Sequence, residues 1–167
     1  VCVISPWPIP RETAVQELVE ARKLIETELA GLAAERATAD DLKQIGGHLD
    51  RMERSLQKQS EFLQADIEFH LAIGRSAHNS ILMNALNLIR NLLQQWIGST
   101  LQVPGVSEKA LEHHQAIFLA IAKTNGAAAR AAMTAHLDEM TLFFLQTKER
   151  QAQQQRTGVE KSEAPPA

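Results

Sequence analysis

Asp66 and His70 stand four residues apart in the run Asp66-Ile67-Glu68-Phe69-His70, which puts them one above the other on a helix. Phe62, Phe69 and Ile73 fall on that same face, so both polar side chains point where apolar ones belong. Two later histidines repeat the anomaly. His114 shares a helical stripe with Ile117, Phe118 and Ile121, and His136 shares one with Met133, Leu137 and Met140. A buried aspartate is costly to leave unpaired. A chain with this pattern therefore needs a fold that lets its inward-facing polar groups satisfy one another, or share a common partner.

The remaining periodicity is helical throughout. The prolines at 6, 8 and 10 hold the start extended, and a first helix is expected from about residues 11 to 13. Leu18, Ala21, Ile25, Leu29 and Leu32 then recur at steps of three and four. Thr38 followed by Asp40 and Asp41 reads as an N-cap with acids in the first turn. The next stripe is Leu42, Ile45, Leu49, Met52 and Leu56, with Gly46-Gly47 weakening it by about 1 kcal/mol per glycine. Ser60 is the expected cap of a third helix, which runs to about Ala77. His78-Asn79-Ser80 breaks the pattern before a fourth helix through Leu82, Leu86, Ile89, Leu93 and Trp96. Val103-Pro104-Gly105 is the strongest interior turn signal, and Ser107 is expected to open a fifth helix. Thr124-Asn125-Gly126 separates that helix from an alanine-rich sixth. Strand alternation is absent. The pattern predicts an all-α fold, an antiparallel bundle of about six helices (seven is the other count it allows).

This organisation divides the 167 residues into a linker-like segment 1–10, a helical domain 11–148 and a polar tail 149–167 expected to be flexible. A net charge of -3 gives no general attraction to nucleic acid. Cys2 is the single cysteine, which excludes an internal disulfide and a Cys-rich zinc site and fits a cytoplasmic protein. No apolar run approaches the roughly 20 residues that span a bilayer.

Taken singly, each histidine has a structural reading as a core imidazole satisfied by its neighbours. Taken with Asp66, the three offer one shared solution, a divalent cation. One carboxylate oxygen and three imidazole nitrogens suit Zn²⁺, with Ni²⁺, Co²⁺ or Mn²⁺ as other ions for an N/O site. His113 lies about 100° from His114 on a helix, off the apolar stripe. His48 falls on a polar face and His78 in a loop, so these three are set aside. Arg22 has two readings: an exposed i,i+4 pair with Glu26, or a clamp holding an anion through two parallel hydrogen bonds. Arg90 is a weaker candidate for the same task. A metal-dependent hydrolase is a rival function, with Glu68 and Glu112 as the nameable bases. A ligand-free helical interaction or dimerisation module is another.

Several runs in order resemble a known family. Glu17-Leu18-Val19-Glu20-Ala21-Arg22 with Glu26, Asp66-Ile67-Glu68-Phe69-His70, Asn79, His114-Gln115-Ala116-Ile117 and His136-Leu137 are similar to the FCD domain. That is the effector-binding domain of the FadR subgroup of GntR transcriptional regulators, and the resemblance covers roughly residues 12–145. It implies Asp66, His70, His114 and His136 as ligands of a divalent metal, and Arg22 at the pocket of a small organic acid effector. It further implies a homodimer, no catalysis, and DNA contact only through an N-terminal winged helix-turn-helix that this sequence lacks. By this resemblance the chain is expected to be the regulatory half of such a protein.

Overall fold

The computed structural model describes residues 13–89 and 103–162 of the chain. Six helices follow in order: α1 (Thr13–Arg36), α2 (Ala39–Arg54), α3 (Gln59–Ser76), α4 (described over 80–89), α5 (Val106–Ala122) and α6 (Gly126–Ser162). No strand occurs among the described residues. The linker-like segment 1–10, Arg90, Leu93 and Trp96 lie outside them.

Local chemistry sets most of the boundaries. Thr38 caps α2 in a reciprocal box: Asp41 N–H donates to Thr38 Oγ1 at 3.2 Å, and Thr38 N–H donates to Asp41 Oδ2 at 2.9 Å. Thr38→Ala is expected to lower stability by about 1 kcal/mol, seen as a lower urea midpoint. Asn79 starts α4 by accepting from Leu82 N–H at 3.1 Å, and Asn125 does the same for Ala128 N–H at 3.0 Å on α6.

Two starts differ from the sequence expectation. Lys58, not Ser60, occupies the N-cap of α3 and gives no side-chain cap, because the turn Ser55–Lys58 already directs the chain into the helix. α5 begins at Val106, one residue before Ser107, behind Gly105 at φ 84°. That left-handed conformation suits glycine and lets the turn close one position early. α6 also continues helically to Ser162, well past Lys148, where the sequence turns polar.

Within the bundle, α2 packs on α3, α6 lies along both α1 and α5, and α1 also crosses α3 and α5. The core formed there contains Phe62, Phe69, Ile73, Ile45, Met52, Ile117, Ile121 and Met133. Small residues let α1 approach α6 closely. Gly31 is buried where a Cβ would fall on the Arg130 guanidinium, and Arg130 spans that point to reach both Glu28 and Glu35. α3, α5 and α6 therefore meet in the interior, each with a histidine on its inner face.

Candidate metal centre

α3 supplies Asp66 and His70, α5 supplies His114, and α6 supplies His136. All four are buried, His114 completely. His114 is central: its Nε2 lies 3.2 Å from His70 Nε2, 3.3 Å from His136 Nε2 and 3.5 Å from Asp66 Oδ1. The ligand atoms of the three histidines all fall within 4.8 Å of one another, and Asp66 flanks the trio on the His114 side. Phe69 packs against the His114 ring, with centroids 4.7 Å apart.

Hydrogen bonding alone satisfies this arrangement poorly. A neutral imidazole nitrogen is either a donor or an acceptor, so His114 Nε2 shares at most one proton among three neighbours. Asp66 Oδ2, His114 Nδ1 and His136 Nδ1 have no hydrogen-bond partner among the described residues, and Glu26 Oε2 and His70 Nδ1 are in close contact without a well-directed hydrogen bond. Ligand atoms about 2.1 Å from one ion stand about 3.0 Å apart at right angles and about 3.4 Å apart at the tetrahedral angle. Spacings of 3.2, 3.3 and 3.5 Å match that scale. The donor set fits a divalent cation.

The electrostatics agree. Burial raises the Asp66 carboxyl above its usual range, although His70 and Arg22 pull the other way. Burial also lowers His114 and His136 well below the ordinary histidine value. Both imidazoles are thus neutral near pH 7, the state a metal needs, while burial disfavours the bare Asp66 charge that a bound cation would offset.

Arg22 and Glu26 form a buried pair, not the exposed one that i,i+4 spacing suggests: their side chains are 4% and 3% exposed. Arg22 Nε donates to Glu26 Oε1 at 2.6 Å, and Glu26 Oε2 contacts His70 Nδ1. Burial opposes the charge on Glu26, but Arg22 and His70 outweigh it and bring the carboxyl down to about 2. Sequence reasoning assigned Glu26 no part in the site. The signal was present, since Arg22, Glu26, Leu29 and Ala33 follow helical spacing and all four are buried.

None of the three histidines set aside joins the trio, although the His113 ring lies 5.8 Å from that of His136. His113 is partly buried and pairs with Glu139. His78 bonds Asp41 Oδ2 at 2.9 Å, and His48 lies near Arg51. Neither suggested base faces the trio: Glu68 accepts from Gln64 and Glu112 from Lys109. The described grooves, including one of about 480 Å³ between α1 and α6 at Lys23, Leu24 and Thr134, are lined by none of the four site residues.

The fold and site together define an all-helical bundle with a buried Asp/His cluster in its core, and comparison supplies the family. The family model for the FCD domain matches residues 17–139, and the chain belongs to that family, the FCD domains of GntR-type regulators. The HTH-type transcriptional regulator LutR of Bacillus subtilis (strain 168) is 38% identical over 140 residues, covering 80% of this chain and 64% of LutR. The galactonate operon transcriptional repressor of Escherichia coli (strain K12) is 36% identical over 126 residues, covering 72% of this chain and 53% of the repressor. A solved structure, Streptococcus agalactiae GntR, superposes with a TM-score of 0.66 at 26% identity, covering 77% of this chain and 59% of that one. This chain thus spans about half to two thirds of the length of these relatives. They are regulators of transcription, not enzymes.

Proposed function

We propose that this chain is a ligand-sensing domain in which Asp66, His70, His114 and His136 hold a divalent metal ion. Zinc is the first choice and nickel, cobalt or manganese the alternatives. The observation that carries this reading is the meeting of three imidazole Nε2 atoms and a carboxylate in a buried space with too few protons to satisfy them. When bound, the ion supplies a Lewis-acidic position for an anionic ligand.

The ligand proposed is a small carboxylic acid. The ion would hold one carboxylate oxygen and Arg22, adjoining the cluster through Glu26, would steady the anion. Arg90 is proposed for the same task. The name of one relative ties that protein to a galactonate operon, and galactonate is a hydroxy carboxylate. A ligand of this kind regulates only if it favours one of two arrangements of the domain, since equal affinity for both shifts nothing. We take those to be arrangements of a homodimer whose winged helix-turn-helix segments, outside this sequence, meet DNA half-sites. Ile81 and Leu88 are exposed two turns apart on one face of α4 and offer apolar surface for a second copy.

A thermal-shift screen of hydroxy, keto and dicarboxylic acids tests the sensor reading. An acid present at about 100 times its Kd stabilises the fold by about 2.7 kcal/mol. A rise in Tm for at least one acid is expected, and it should vanish after chelation. Acids that stabilise equally with and without metal would refute the proposed coupling.

A further inference from the structure

The structure assigns Glu26 a role as positioning residue for the ion: it fixes which nitrogen of His70 faces the cluster. This rests on the metal reading above.

Glu26 comes from α1, a helix that contributes none of the four proposed ligands. Its side chain is 3% exposed, and its two oxygens are divided between partners. Oε1 accepts from Arg22 Nε at 2.6 Å, while Oε2 contacts His70 Nδ1. An ionised carboxylate only accepts, so the contact places the His70 proton on Nδ1 and turns the Nε2 lone pair toward His114 and His136. The other tautomer closes the site. With its proton on Nε2, His70 would donate to His114 Nε2, 3.2 Å away, and that hydrogen bond would occupy both nitrogens an ion needs. Among the described residues, His70 is the histidine of the trio whose Nδ1 lies against a carboxylate oxygen. Arg22 completes the device by fixing the far oxygen of Glu26. Carboxylates behind ligating histidines commonly support metal affinity by orienting the ring and fixing its tautomer.

The test measures Zn²⁺ affinity by competition with a chromophoric chelator on folded wild-type protein and on Glu26→Gln. A second measurement, long-range ¹⁵N–¹H NMR of the metal-free proteins, reads the His70 tautomer. The variant is expected to bind Zn²⁺ 10- to 100-fold more weakly, on the order typical of such outer partners, and to gain His70 Nε2–H signal. Glu26→Asp, which keeps the carboxylate but withdraws it, should fall between the two and serves if Glu26→Gln does not fold. A purely structural role predicts a lower Tm with unchanged Zn²⁺ affinity and unchanged tautomer; that result overturns the inference. Wild-type protein that binds no Zn²⁺ overturns the metal reading itself.

Discussion

Protein purified without added metal is expected to carry close to one equivalent of a divalent ion, and stripping it should lower Tm by roughly 8–16 °C. The size follows from linkage: an ion present at about 1,000 times its Kd adds about 4 kcal/mol, and each kcal/mol moves Tm by about 2–4 °C in a domain of this size. The loss is amplified by what remains. Without a cation, Asp66 is left to ionise in a buried site that disfavours its charge, among imidazoles that burial also keeps neutral. His114→Ala should have the largest effect of the four ligand substitutions, because His114 is the residue within 3.5 Å of each of the other three. Elemental analysis alongside differential scanning calorimetry decides the matter. Less than half an equivalent in wild-type protein, or the same content in His114→Ala, would sink the site.

Arg22→Met, measured in chelated protein, is expected to cost about 3–5 kcal/mol in urea unfolding. Removing one member of a buried ion pair strands the other in a low-dielectric interior. Here the stranded group is the Glu26 carboxylate, which Arg22 and His70 otherwise hold well below its usual pKa. The double variant Arg22→Met with Glu26→Gln removes the stranded charge and should recover much of the loss. The folded pKa of Glu26 is about 2 against an ordinary 4.5. Its contribution is therefore present in full above about pH 4.5 and is lost as pH falls toward 2. A cost for Arg22→Met below about 1 kcal/mol, typical of an exposed pair, would show that burial does not govern this one.

The helices and the cluster were legible for different reasons. Stripes such as Ile45, Leu49 and Met52 repeat at helical spacing and read directly, as did the Thr38 cap, because each depends on neighbours close in sequence. The convergence of His70, His114 and His136 was suggested by their apolar surroundings, yet their distances depend on how α3, α5 and α6 pack, which periodicity alone does not set. The starts of α3 and α5 were misplaced because the polar residues Ser60 and Ser107 outweighed the backbone turns preceding them. Glu26 went unassigned for a similar reason. An i,i+4 Arg/Glu pair on a helix usually faces water, and nothing within α1 says that His70 of α3 lies against this one.

Because the histidines reside on three helices, an ion held among them would act as a cross-link between stretches from residue 70 to residue 136. Such a link needs all three helices docked, and where that docking follows the folding barrier the link is absent while the chain crosses it. Its influence then falls on the rate of unfolding and leaves the rate of folding almost unchanged. In that case the tightness of the centre would set how long the domain persists once made, more than how readily it is made.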